Sequence, residues 1–129
     1  MRTLIFLDDE RNLEDVSWIE YDLYCDVKTV RNFNDFKKVV SKTILTNDDL
    51  LNFDFSFDHD LADYSEKWER TGYDCAIWLI NFIIEKDLDP NYLFWHIHSK
   101  NPVGKENIDN YLQSYVHFFN NYGNPALGI

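Results

Sequence analysis

The chain carries two cysteines, three prolines and four glycines in 129 residues. Cys25 and Cys75 stand singly, without Cys-x-x-Cys spacing, which removes the usual zinc-finger and redox patterns and leaves buried reduced thiols as the expectation. The prolines and glycines gather into no linker, and neither a repeat nor a low-complexity tract divides the chain, so residues 1–129 are expected to form one domain. Long apolar runs are missing as well. No stretch approaches the roughly 20 apolar residues of a membrane span. The opening "MRTLIFLDDER" turns acidic too soon to hold the apolar core of a secretion signal. A cytoplasmic protein without membrane attachment is the expectation. Positive charge is also scarce: 12 Lys and Arg face 23 Asp and Glu, for a formal charge of −11. Bulk binding to double-stranded DNA, which needs a basic surface, is disfavoured. A local basic pocket for one phosphate, a cation site, or an acidic surface that mimics nucleic acid towards a protein partner all remain compatible with that charge.

What is present is a core. With 45% hydrophobic and 17% aromatic residues, disorder by composition is disfavoured. Thr3–Leu7 reads as an apolar strand of the kind buried on both faces, Val27–Val30 as a second, Phe53–Phe57 as a third and Tyr92–His98 as a fourth. A helix capped by Asn32 or Asn34 is expected to run to about Lys42. Asn47–Asp49 marks a loop or a short helical start, and residues 61–70 a polar loop. Thr71 and Asp74 open a helix with Cys75, Trp78, Leu79, Phe82 and Ile83 at helical spacing, stopping before Asp89-Pro90. "SKNPVG" is expected as a loop, Lys105–Asn120 as a last helix, and "NPALGI" as a short extended tail. Residues 12–26 have a poor pattern that admits a short helix. Strands alternating with helices predict an α/β fold with a mostly parallel sheet of four to five strands.

In such folds ligands sit at the carboxyl ends of the strands. Asp8, Asp9, Asp58, His59, Asp60, His98 and Ser99 all fall there, from three different strands. Carboxylates gathered in one place raise each other's pKa unless a cation neutralises them. Oxygen ligands suit a divalent metal, Mg²⁺ or Mn²⁺, with Asp8, Asp9, Asp58 and Asp60 as candidate ligands. His59 offers either a further ligand or an acid/base group, unless Asp58 and Asp60 merely flank an exposed ring. His96 and His98 share a strand face; His98, at the strand end, is the site candidate, and His96 is expected to be structural. Arg11, Arg31, Ser99, Lys100, Asn101 and the helix start near Gly104 supply groups for a phosphate. Cation ligands beside anion ligands are what metal-assisted phosphoryl chemistry needs, with Asp58, His59 and His98 as catalytic candidates. Trp18, Trp78 and Trp95 are expected in the core, with Trp68 in a polar loop the exception.

"LIFLDDER" followed by a strand-terminal Asp58 resembles the receiver layout, with an acidic pair after strand one and a central Asp after strand three. "FDHDL" departs from the ordinary response-regulator pattern, and a Lys-Pro after a fifth strand is not found. The combination "FLDDER", "FDHDL", "TGYD" and "HSKNPVG" is more similar to the cyclic-phosphate processing receiver-like family, over about Leu4 to Tyr115. The resemblance implies a degenerate receiver, flavodoxin-like three-layer fold. It also implies a site built from Asp8, Asp9, Arg11, Asp58, His59, Asp60, His98, Ser99 and Asn101, acting on a cyclic phosphate at an RNA end or in a nucleotide. Three functions follow as expectations: a metal-dependent phosphodiesterase or phosphohydrolase, a non-catalytic signalling or nucleotide-binding receiver, and an acidic interaction protein.

Overall fold

The computed structural model describes residues 2–64 and 68–127. Among them, β1 (Thr3–Leu7), β2 (Asp26–Val30), β3 (Phe53–Phe57) and β4 (Phe94–Ile97) form one parallel sheet in the order β2-β1-β3-β4. The helices are α1 (Phe33–Thr43), α2 (Asn47–Leu51), α3 (Gly72–Glu85) and α4 (Pro102–Tyr122). No helix among the described residues is long and apolar enough to cross a membrane.

Alternation along the strands separates two faces. Ile5, Leu7, Phe55 and Phe57 point into one core with Phe36 and Val40 of α1, Leu79 and Ile83 of α3, and Ile108 and Leu112 of α4. Leu4 and Phe6 point the other way, where the third layer is not helical. It is an irregular segment contributing Leu13, Val16, Ile19, Tyr21 and Tyr24. The ambiguous region 12–26 thus forms one 3-10 turn, Leu13–Asp15, followed by a strap of aromatic side chains laid over the sheet. The polar residues of the strands, Asp54, Ser56 and His96, fall on that second face, in register with Leu4 and Phe6. Burying a Phe, Leu or Ile contributes about 1.5–3 kcal/mol each, and Phe55 and Phe57 are fully buried. That offsets the cost of carrying Asp54 and Ser56 inside on the same strand.

Local chemistry explains where elements begin. Asn32 caps α1, and its Oδ1 accepts the Asp35 N–H. Thr46 caps α2 in a capping box with Asp49. Thr71 and Asp74 exchange bonds reciprocally at the start of α3. Several boundaries differ from expectation. β4 begins at Phe94, not Tyr92, because Asp89 caps a 3-10 turn over Pro90–Tyr92. α4 begins at Pro102, not Lys105: Asn101 accepts the Gly104 N–H and Pro102 takes the first turn, where its missing N–H costs nothing. It ends at Gly123, whose φ of 77° suits glycine. The tail forms a 3-10 turn, Pro125–Leu127, rather than an extended piece. Cys75 is buried as expected, but Cys25 is exposed. Trp18 leaves the core for the surface, at 40% exposure.

Candidate functional site

Register brings the site together. Leu7 pairs with Val30 on one side and Phe57 on the other, and Phe57 pairs with Ile97. The next residue of three strands continues the ladder: Asp8 N–H donates to Val30 O, Asp58 N–H to Leu7 O, and His98 N–H to Phe57 O. Asp8, Asp58 and His98 therefore leave the sheet side by side and on one face. They are 1%, 5% and 0% exposed. One potential ligand atom from each lies within 4.8 Å of the others.

The two aspartates have opposite environments. Asp8 Oδ1 accepts the N–H groups of Glu10 (2.9 Å) and Arg11 (2.8 Å). Its Oδ2 is 3.0 Å from His98 Nε2 and 3.4 Å from the Arg11 guanidinium. Burial pushes this carboxyl up, but the bonds from His98, Arg11 and Glu10 outweigh it and hold the pKa at about 2. Asp58 accepts only the His59 N–H, on Oδ1 at 2.9 Å, and its Oδ2 meets no donor among the described residues. Burial raises its pKa and the charge of Asp8 raises it further. Asp9 is raised as well, by burial first and then by Asp8 and Glu10.

The sign for Asp8 follows from linkage. Its folded pKa lies below the unfolded one, so its ionised form stabilises the native state above the unfolded value, and that contribution is lost as pH falls through about 2. The stability difference between wild type and Asp8→Asn, from urea unfolding, is therefore expected to hold above about pH 5 and to shrink between about pH 4 and 2. A difference unchanged over that window would show that the Asp8 charge is not held by these bonds.

A pocket of about 440 Å³ opens over these strand ends. Six carboxylates line it (Asp8, Asp9, Glu10, Asp58, Asp60 and Glu69) against two cations, Arg11 and Lys100; Ser99 and Asn101 add neutral groups. A bare phosphate would be repelled there, whereas one arriving with a divalent cation would not. Hard oxygen donors suit Mg²⁺ or Mn²⁺. The Asp58 oxygen that meets no donor among the described residues is open to the pocket beside Asp8 and fits such an ion, so Asp8 and Asp58 of the buried Asp8, Asp58 and His98 group could hold a metal, while His98 Nε2 faces Asp8 Oδ2 at 3.0 Å.

Other expected residues are placed as follows. Asp60 lines the pocket, while His59 turns away: its Nδ1 meets Asp60 Oδ1 at 2.8 Å and its ring packs on Gly104. Gly104 has no room for a Cβ, which would sit 2.4 Å from His59 Cγ, and its N–H is used by the Asn101 cap. Arg31 donates to the carbonyls of Asp8 (3.2 Å) and Arg11 (2.6 Å) and to Asn12 Oδ1 (2.5 Å), bracing the loop behind the pocket. Neither Arg31 nor Gly104 reaches the lining. His98 lies beneath it, with Nδ1 2.7 Å from Ser56 Oγ and Phe6 stacked on its ring at 4.4 Å. Ser99 Oγ accepts the Asn101 N–H. Trp18 donates its indole N–H to His98 O at 2.9 Å, with Lys100 Nζ 4.1 Å and Arg11 5.5 Å from its ring. Ser56, Trp18 and Tyr21, which touch this cluster, carried no sequence signal except polar residues alternating with Phe in the third strand and an aromatic residue every third position.

A four-stranded parallel sheet with acidic groups at the ends of its first and third strands, helices on one face and a covered second face defines a receiver-like α/β domain. The profile of the cyclic-phosphate processing receiver domain matches residues 3–114, and the chain belongs to that family. No curated protein and no solved structure matches it.

Proposed function

We propose that the protein is a metal-dependent enzyme that hydrolyses a cyclic phosphate, at an RNA 2′,3′-cyclic end or in a cyclic nucleotide. The observation that carries this reading is the buried Asp58 carboxylate, with an oxygen that meets no donor among the described residues, beside ionised Asp8 in a pocket rimmed by Arg11 and Lys100. Asp8 and Asp58 hold the cation from the sheet, and Asp9 and Asp60 face it from the loops. The ion, when bound, neutralises phosphate charge and lowers the pKa of water. Arg11, Lys100, Ser99 and Asn101, which line the same pocket, orient the phosphate. His59 and His98 do not line the pocket, so direct proton transfer falls to its carboxylates. Asp9, which lines the pocket and whose pKa is raised by burial and then by Asp8 and Glu10, is assigned that proton. His98 serves the site by holding Asp8, and His59 by holding Asp60.

Incubation with Mg²⁺ or Mn²⁺ and a panel of cyclic mononucleotides and cyclic-ended RNA is expected to show ring opening. No turnover of any of them, by protein shown to bind Mn²⁺, would sink the reading. The second reading is a signalling receiver in which Asp58 accepts a phosphoryl group; its open oxygen at the end of a central strand favours it. A small phosphodonor followed by intact mass separates the two, since only a receiver keeps a phosphate that Asp58→Ala abolishes.

A further inference from the structure

The strap over the second face is pinned to the sheet by three aromatic side chains spaced three residues apart. Trp18 donates to His98 O at 2.9 Å, Tyr21 OH lies 2.6 Å from Ser56 Oγ, and Tyr24 donates to Asp54 Oδ2 at 2.7 Å. The middle contact continues inward. Ser56 Oγ is 2.7 Å from His98 Nδ1, and His98 Nε2 is 3.0 Å from Asp8 Oδ2. Four side chains from four parts of the chain thus form one line, from half-buried Tyr21 of the strap through buried Ser56 and His98 to Asp8 at the pocket floor.

The direction of that line is set from both ends. Ionised Asp8 only accepts, so His98 Nε2 carries a proton and donates it. With Nε2 turned to Asp8, the remaining ring nitrogen, Nδ1, is 2.7 Å from Ser56 Oγ and placed to take the Ser56 hydroxyl hydrogen. Ser56 Oγ in turn accepts from the Tyr21 phenol, which burial, partly offset by this same contact, pushes up to about 12 and so keeps protonated. Each proton is used once. Tyr21 is itself held edge-on against the His96 ring, with centroids 5.0 Å apart.

We propose that Tyr21 is a positioning residue of the acidic pocket: through Ser56 it holds His98 in the Nε2–H tautomer and so aims the Asp8 carboxylate at the cation. This rests on the metal-dependent reading above. Outer partners of this kind orient ligands without touching the ion, and their loss typically costs ~10–100-fold in affinity. The strap that replaces a helix layer therefore also tunes the site beneath it.

The test uses the full-length protein with ¹⁵N-labelled histidine, in wild type, Tyr21→Phe, Ser56→Ala, the double variant and Tyr24→Phe. Imidazole ¹⁵N shifts report the His98 tautomer, and Mn²⁺ titration reports affinity. Wild type is expected to show the Nε2–H form. Tyr21→Phe and Ser56→Ala are expected to admit the Nδ1–H form and to weaken Mn²⁺ binding about 10-fold, with the double variant no weaker than Ser56→Ala alone. Tyr24→Phe removes an equivalent strap anchor outside the line and is expected to leave both readouts unchanged. If wild type binds Mn²⁺ and Tyr21→Phe matches it in tautomer and affinity, the role of Tyr21 is overturned while the metal reading stands. That role is overturned equally if Tyr24→Phe shifts both readouts as much as Tyr21→Phe does. Wild type that binds no Mn²⁺ overturns the metal reading and this role together.

Discussion

Replacing Asp58 with asparagine is expected to stabilise the metal-free protein and, at the same time, to remove its affinity for Mn²⁺. Asparagine keeps the shape and still accepts the His59 N–H that meets Asp58 Oδ1 at 2.9 Å. What it removes is a buried negative charge whose pKa is raised by burial and then by Asp8. Above that raised pKa the ionised form costs native stability, and the cost is relieved as pH falls through it. The neutral variant escapes it at every pH. The gain is of the kind found when an active-site constraint is released, about 1 kcal/mol, or roughly 4 °C in the thermal midpoint. Loss of a direct ligand is expected to weaken Mn²⁺ binding by ~100-fold or more, since even outer partners are worth ~10–100-fold. Cyclic-phosphate turnover is expected to disappear with it. Calorimetric melting without metal and Mn²⁺ titration read the two effects separately. A variant less stable than wild type would show that the Asp58 charge is already compensated within the protein, which removes the reason for a cation there.

The second large effect is at Gly72. A Cβ built there would lie 1.7 Å from Asp58 O, 2.8 Å from Asp58 C and 3.1 Å from His59 Cα. All three are backbone atoms, so no rotamer change relieves the overlap. The Gly72 N–H also donates to His59 O at 2.7 Å, tying the first turn of α3 to the turn that leaves β3. Gly72→Ala is therefore expected to cost about 3 kcal/mol or more, the upper end for overpacking, and to displace Asp58. Gly104→Ala provides the contrast. Its clash is with the His59 side chain, at 2.4 Å from Cγ and 2.8 Å from Cβ, so the ring can turn but the Cβ moves only with its backbone, and no backbone atom is itself overlapped. Urea unfolding of the two variants is expected to rank Gly72→Ala well below Gly104→Ala. Equal costs would show that backbone contact at Gly72 is not what limits the turn.

These contacts give physical content to the short motifs. In "TGYD", Thr71 and Asp74 close the capping box and Gly72 permits the close approach to Asp58. In "HSKNPVG", His98 supports Asp8, Asn101 caps α4, Pro102 begins it and Gly104 makes room for His59. The strands were legible because burial on a parallel sheet demands apolar runs such as Thr3–Leu7 and Phe53–Phe57. α3 was legible because its cap chemistry and its 3.6-residue pattern agree. The strap was not, since an irregular segment held by three hydroxyl and indole bonds to distant residues has no period of its own.

The sequence by itself determined the α/β class, a helix start at Asn32 or Asn34 and another at Thr71, and the rule that strand-end residues share one edge. Those follow from local periodicity, capping and the parallel arrangement they imply. Only the tertiary structure decided what each candidate is free to do. Arg31 and the Gly104 N–H are occupied in scaffolding, His59 faces α4, His98 is enclosed between Ser56 and Asp8, and Asp58 keeps an oxygen that meets no donor among the described residues. For Arg31 and His98, whether the group is already satisfied depends on partners 20 to 90 residues away in the chain, and the tertiary fold, not sequence spacing, brings those partners within reach.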